Sequence, residues 1–588
     1  MKPKRSLRID FLKGLAILAV VYYHFQSVLP YGYLGVELFL VISGYLTMQS
    51  IAKEISAGSF SWWRFIINRV VRLWPMVLGV VTLCFVLGYF VMLPDDFENL
   101  SQHVIASNFF GNNILSCITT KNYWDIVNLY KPLMHTWYLG VLMQGYVFIA
   151  TVVLVLKKLC KKHTQKAIGI SLLALTVCSL AIYLLPVGSD AQKFYYLPWR
   201  LFEILLGGLI AYIPVKPAGK KTQRWLICGQ GIAMVLILAC LCISADVVPA
   251  ALRLLTVTGL TAFLLFSFQR TEEKSSALLK PVASVGKVSL SVYLCHQPIV
   301  AFMFYSVTDK VNAVTILAYT AVVALMSVIF YYLGERPLGK LPNNRRFAAF
   351  AVSLVLCLAL TGAAGVVFLN AGVVRDVPEL GISTQNVYRG MHAKYCDRPY
   401  GWNKDFSSEG KVKVLVIGDS FGRDWANILS ESDIADELEI SYMFAATGVQ
   451  PENSQQRIDA ADIVFWSTSS GETKLVDMVA CNGKNYVVGY KNFGSSNGLI
   501  YSRRNTENYF SMSIQLDETA IKNNEILKQH YGEFFVDMLV PVQNADGTIR
   551  VFTDTHHFIS QDCRHLTQQG AIYYATHMDL SWILDQKG

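Results

Sequence analysis

The chain has no internal repeat, no low-complexity tract and no nucleic-acid-binding motif, which excludes solenoids, disordered scaffolds and nucleic-acid readers. Its twelve cysteines show no zinc-type spacing, and most sit in apolar runs, where cysteine acts as a small hydrophobe. Only Cys117, Cys396, Cys481 and Cys563 lie in polar segments. No small-residue cleavage site follows the basic start MKPKR, which leads straight into a full apolar run, so the first helix is expected to be retained. No metal site is expected either. The pair of histidines in DTHHF, 554–558, has no second ligand group at useful spacing, which favours a structural or substrate-edge role.

What is abundant is apolar length. At 588 residues, 53% hydrophobic content is too high for a soluble protein and points to a polytopic membrane protein. Spans are expected at 11–29, 32–52, 74–93, 133–157, 167–186, 198–213, 225–243, 251–268, 286–306, 313–333 and 347–369. Alternate loops hold the cations: Lys53, Arg64, Arg69 and Arg72; then Lys157 to Lys166; then Lys216 to Arg224; then Arg270, Lys274, Lys280 and Lys287; finally Arg336 to Arg346. The other loops are nearly free of them, and the one after Pro94 is led by Asp95, Asp96 and Glu98. Positive charge gathers on the cytoplasmic side, so the N-terminus is expected inside and, after an odd number of spans, the C-terminal part outside. The net charge of +9 is accounted for by those loops rather than by an anionic partner.

From 370 onward the composition is that of a soluble domain. The expected organisation is a membrane domain over 1–340, an additional helix over 341–370, a linker over 371–411 and an α/β domain over 412–588. VKVLVIGDS, 412–420, is an apolar run ending in Gly-Asp-Ser, as a buried parallel strand turning tightly into a helix would be. IDAADIVFWST and KNYVVGY add strands between helical segments, giving an α/β sandwich. In GDSFGRDW, Ser420 falls just past a strand end, where backbone amides can face an oxyanion. SQDCRHLTQQGA places Asp562 and His565 three apart, close enough for one turn to present both. Each half alone is common in turns and caps; together they supply nucleophile, base and orienting carboxylate. Cys396 and Cys563 are a candidate disulfide, although Cys481 makes the count odd.

The stretch 8–48 holds two apolar runs joined at Pro30 to Gly32. Lys13 and His24 lie eleven residues apart on the first, a spacing that returns to within about 20° of one helix face and separates them by roughly 16 Å. Ionisable groups inside a membrane usually line a cavity. Two readings stand: a functional stripe, or a snorkelling lysine and a packing histidine.

This arrangement resembles the acyltransferase family 3 membrane proteins, whose first helix carries an arginine, ten residues and a histidine; here Lys13 takes the arginine position. GYLGVELFLVISGYL, with Glu37, NRVVRLWP, with Arg69 and Arg72, and HTWYLGVLMQGY, with His135, resemble further family segments in the expected order. LPWRLFEILLGGLIAY, with Arg200 and Glu203, SVGKVSLSVYLCHQP, with His296, and GERP extend the match. Leu142 stands where members commonly have glutamate. The C-terminal part resembles SGNH hydrolases, with Ser420 as nucleophile, His565 as base and Asp562 as its partner. Gly448 is matched to the oxyanion glycine, while WSTSSGE lacks the family's Gly-x-Asn-Asp.

The resemblance implies a multi-pass protein of the bacterial cytoplasmic (inner) membrane that O-acylates an exported glycan. Acetyl-CoA or another acyl-CoA would be the donor, with no permanently bound cofactor. Lys13, Arg69 and Arg72 would hold the CoA phosphates, and His24 would act as base or transient acyl carrier. Partners would be the lipid bilayer, acyl-CoA and a polysaccharide or lipid-linked glycan such as O-antigen, capsule, exopolysaccharide or peptidoglycan; no nucleic acid is expected. The rival readings are a transporter with a glycan-binding outer domain and a membrane-anchored carbohydrate esterase.

Overall fold

The computed structural model describes residues 6–25, 28–119, 126–243, 247–273, 277–308, 310–385, 392–445, 451, 454–469, 479, 484–494, 496–516 and 518–587. Lys274, Gly448 and Cys481 lie outside the described residues. Contacts divide the chain into two compact units, one holding Asn99–Val366 with the chain up to Phe90, the other Val367–Gly588 with Val91–Glu98.

The first unit is helical, and each expected span coincides with a helix. Among the described residues, seven continuous helical stretches are long and apolar enough to cross a membrane, or eight if the bent pair Ala277–Lys287 and Ser289–Ser306 forms one span. One of the seven, Met134–Leu184, is itself two helices run together, and Leu7–Tyr23 and Leu197–Tyr212, at 17 and 16 residues, are too short to be counted, so the number falls below the eleven spans expected. The unit is a multi-pass membrane domain.

Two helices depart from the expected limits. Leu7–Tyr23 stops well short of residue 29, leaving His24 at its C-cap. The chain must turn ahead of Pro30, whose ring disfavours helical backbone in the residue before it. Trp62–Val91 begins earlier than 74, so Arg69 and Arg72 lie within its second and third turns. Polar residues ended the apolar run there without ending the helix.

Close packing comes from glycine. A Cβ at Gly207 would lie 1.9 Å from the Val41 carbonyl oxygen, and one at Gly44 1.9 Å from that of Ile204, so Gly35–Ser56 and Leu197–Tyr212 touch backbone to backbone. Small residues drive helix association in lipid because apolar burial alone does not. Gly207→Val is expected to force these helices apart at a cost of at least about 1–3 kcal/mol. A lower melting temperature of the detergent-solubilised protein is the check.

The second unit is an α/β sandwich. Its parallel sheet has the order β2–β1–β3–β4–β6, with β1 Val412–Gly418, β2 Leu438–Phe444, β3 Ile463–Ser467, β4 Asn485–Val488 and β6 Phe535–Val536; β5 Ser513–Ile514 pairs antiparallel with β7 Ile549–Arg550. Val414 and Val416 of β1 join one core cluster with Trp425 and Tyr574, while Leu415 and Ile417 join another with Leu527 and Tyr531. Burial on both faces explains the unbroken apolar run. Helices Ser420–Ser430 and Gln568–His577 cover one face and Glu518–Tyr531 the other, giving three layers.

Candidate active sites

In the second unit the central strand delivers Ser420. A Cβ at Gly418 would lie 1.9 Å from the Ser467 carbonyl oxygen, so only glycine lets β1 and β3 close at this point. Asp419 then caps the helix. Its Oδ1 accepts from the Phe421 amide at 2.9 Å and its Oδ2 from the Ser469 amide and hydroxyl at 2.8 and 2.6 Å. Ser420 is thereby fixed at a helix N-terminus, where the helix dipole favours negative charge.

His565 Nε2 lies 2.7 Å from Ser420 Oγ, and His565 Nδ1 lies 2.6 Å from Asp562 Oδ2. Asp562 also accepts from the His565 and Arg564 amides at 2.8 and 3.0 Å, which closes the turn that presents the ring. Serine, imidazole and carboxylate form a continuous hydrogen-bonded chain, the arrangement that activates a hydroxyl for acyl transfer.

Burial by itself would lower the His565 pKa, but the Asp562 carboxylate, by charge and by hydrogen bond, outweighs it and raises the imidazole above its usual value. For Asp562, burial works upward and is overcome by His565 and the two amides, which hold it below the usual carboxylate range. The charged pair therefore stabilises the fold between these limits. The histidine's share is full below the unfolded-state pKa of about 6.5 and is lost as pH rises through the raised folded value. The aspartate's share is lost as pH falls through its depressed value. Followed by NMR of the ring protons, His565 is expected to titrate above 6.5, and Asp562→Asn is expected to lower that midpoint.

Three supports were invisible to sequence reasoning. Asp424, within the GDSFGRDW motif, accepts the Leu566 amide at 3.0 Å and pairs with Lys491 at 3.0 Å, both side chains buried. Lys491 also sits 3.5 Å over the Phe421 ring, so it holds the serine helix by ion pair and ring contact, while the Leu566 amide ties that helix to the histidine loop through Asp424. Nothing around KNYVVGYK marks Lys491 in advance. Asp95, expected in an outer loop, belongs to this same unit. Burial first, then the Asp562, Asp96 and Glu98 charges, push its carboxyl up to about 8, with His565 acting in the opposite direction.

The candidate pair Cys396 and Cys563 is not joined by a disulfide. Both are free and buried, their thiols directed to separate acceptors, the Leu566 carbonyl and Asn497 Oδ1, each at 3.3 Å. The Ser469 hydroxyl, in the segment lacking the family's asparagine, is committed to Asp419.

In the first unit, Lys13, Arg69 and Arg72 line one cavity of about 410 Å³, joined by Lys287, Arg336 and Lys340. A neighbouring recess of about 260 Å³ shares Arg69 and Arg72 and adds Arg346. Leu142, the departure from the family's glutamate, lies on the larger cavity's wall, as does Tyr293. Beyond Tyr293 stand His135 and His296, their rings 5.3 and 5.4 Å from its own. His296 is 5.4 Å from His135 and 5.5 Å from His24, so the three histidines form one cluster. The Tyr293 hydroxyl donates to the His135 carbonyl, which fixes the ring between cations and imidazoles.

Glu37, Arg200 and Glu203 are brought together and fully buried. Arg200 pairs with Glu37 on the neighbouring helix and with Glu203 at 3.2 Å one turn away. The guanidinium also faces Phe194 and Trp137, at 5.6 and 6.0 Å from the ring centroids. Breaking a buried ionic cluster of this kind typically costs about 3–5 kcal/mol, which makes a structural anchor of the three.

The first unit thus holds a cation-lined cavity and a histidine cluster, and the second holds a hydrogen-bonded serine–histidine–aspartate set. The family model described as an acyltransferase domain matches residues 6–334, more than half of the chain, and the protein belongs to that family. It is similar to a Staphylococcus aureus (strain COL) protein named as an O-acetyltransferase, 26% identical over 352 residues, 56% of this chain and 57% of that one. It is also similar to the peptidoglycan O-acetyltransferase OatA of Listeria monocytogenes, 28% identical over 309 residues, 50% of this chain and 49% of that one. A Komagataeibacter xylinus protein named as a membrane-bound transacylase is 27% identical over 371 residues, 61% of this chain and 90% of that one. The chain thus spans about half the length of the first two relatives. No solved structure matches it.

Proposed function

We propose that the protein is an O-acyltransferase, with acetyl as the group moved, that carries an acyl group from cytoplasmic acyl-CoA across the bacterial inner membrane to a hydroxyl of a cell-surface polysaccharide. The observation that carries this reading is the hydrogen-bonded chain Ser420–His565–Asp562 in a protein whose membrane domain holds a separate cation-lined cavity. Lys13, Arg69 and Arg72 offer the guanidinium forks and ammonium that phosphates bind, which suits the diphosphate and 3′-phosphate of CoA. His24, in the cluster with His135 and His296, acts as base or transient acyl carrier.

At the outer site the Ser420 hydroxyl gives its proton to His565 Nε2 as its oxygen bonds to the acyl carbon, and the imidazolium returns that proton to the departing carrier. A sugar hydroxyl then loses its proton to His565, attacks the acyl carbon and releases Ser420, which takes the proton back. Asp562 holds the ring and its positive charge throughout. The N-terminus is cytoplasmic and the second unit extracytoplasmic in this scheme. The acceptor class is O-antigen, capsule, exopolysaccharide or peptidoglycan, the last supported by the name of the Listeria relative.

Mass analysis of surface glycan from a deletion strain tests the reading. The ester mass is expected to disappear on deletion and to return with the unmodified gene. An ester mass that increases on deletion would identify an esterase instead, and an unchanged glycan would point to a transporter.

A further inference from the structure

A third cavity, in the α/β unit, lies on the segment that leads into the His565 loop. It measures about 330 Å³ and is lined by Phe510, Asn544, Arg550, Phe552, Asp554 and His556. Phe510, 43% exposed, stacks on His556 with ring centroids 4.1 Å apart and planes 9° from parallel, and Phe552 backs it at 5.3 Å. His556 holds this pose with φ at 64°, a left-handed backbone that non-glycine residues seldom adopt and that is often kept where a ligand site needs it.

The polar side of the cavity is charge-balanced. Arg550 Nη1 lies 2.6 Å from Asp554 Oδ1 and donates to the Tyr573 hydroxyl at 3.2 Å, and His577 Nε2 stands 3.7 Å from Asp554 Oδ2. An aromatic plate beside a neutralised Arg–Asp pair suits a sugar ring. The C–H face of a pyranose packs on the negative ring face, while guanidinium and carboxylate serve vicinal hydroxyls as donor and acceptor. A phosphate or an anionic lipid headgroup would call for an uncompensated cation.

The cavity is also within chain reach of the nucleophile's base. Thr553 donates to the His557 carbonyl at 2.8 Å, and further along the chain Gln561 donates to the His565 carbonyl at 2.9 Å. From His557 to Gln561 is four residues, at most about 13 Å at roughly 3.3 Å for each extended residue. That is the reach of a short run of sugar units.

We infer that this cavity is an acceptor subsite, holding a neutral sugar unit of the polysaccharide a short distance along the chain from the hydroxyl acylated at Ser420. As an acceptor subsite it rests on the acyl-transfer reading; as a sugar-binding site it stands on its own residues.

The test uses the full-length protein in detergent with Ser420→Ala, so that no turnover occurs. The probe is a set of short oligosaccharides made by partial acid hydrolysis of the source cell's envelope polysaccharide after removal of its esters. Saturation-transfer NMR is expected to report contact between sugar ring protons and protein aromatics. Phe510→Ala is expected to weaken binding by about tenfold, Phe510→Trp to restore it, and Arg550→Gln to weaken it independently of the plate. Equal binding by the parent and Phe510→Ala overturns the inference. So does loss of binding in Phe510→Trp as well, which would mark Phe510 as a folding residue. Binding to phosphatidylglycerol vesicles in place of the oligosaccharides overturns it too. If the protein with Ser420 intact binds the oligosaccharides through Phe510 yet acylates none of them, the acyl-transfer reading falls and the sugar site remains.

Discussion

Ser420→Ala is expected to abolish surface-glycan acylation, lowering the rate by at least about 10³-fold, because the alanine removes the hydroxyl that His565 is poised to activate. The geometry leaves little room for a substitute: Oγ lies 2.7 Å from Nε2, and the Ser469 hydroxyl is held by Asp419. Release of p-nitrophenol from p-nitrophenyl acetate by the purified protein is expected to fall with it, since that ester needs the same attack without the membrane step. Restoration of the full ester mass by the Ser420→Ala gene would remove Ser420 from the mechanism.

The second large effect is expected at the membrane site. His24→Ala should cut transfer from acetyl-CoA to glycan by about 10²–10⁴-fold, the range associated with loss of a positioned acid or base. The expectation rests on the histidine cluster, with His24 and His135 both packed on His296, and on Tyr293 standing between that cluster and the cation-lined cavity. Because Ser420, His565 and Asp562 form their own hydrogen-bonded chain, hydrolysis of p-nitrophenyl acetate is expected to persist in His24→Ala. The two variants therefore separate the donor chemistry from the outer chemistry. Glycan acetylation at the normal level in the His24→Ala strain would show the histidine to be a packing residue.

The positions of these groups were legible in the sequence to different depths. The helical spans, the strand ahead of Gly-Asp-Ser and the residues Lys13, Arg69 and Arg72 follow from apolar length, periodicity and resemblance, which are local properties of the chain. Helix ends were less legible, because Trp62–Val91 continues through polar residues that hydropathy treats as a boundary. A disulfide between Cys396 and Cys563 was legible as a possibility from their setting and is absent, since spacing says nothing of the acceptors each thiol meets in space.

What the sequence by itself determined is the pair of candidate residue sets, a basic stripe in the membrane part and a serine, a histidine and an aspartate in the α/β part, because each is written in short motifs whose backbone form is locally encoded. What only the tertiary structure decided is which distant groups support them: the pair Asp424–Lys491 behind the histidine loop, Asp95 beside the triad, Glu37 on Arg200, and the meeting of three histidines from three helices. Those contacts join residues far apart in the chain, and burial fixes them through desolvation, which a buried charge escapes only by finding a partner in the folded core.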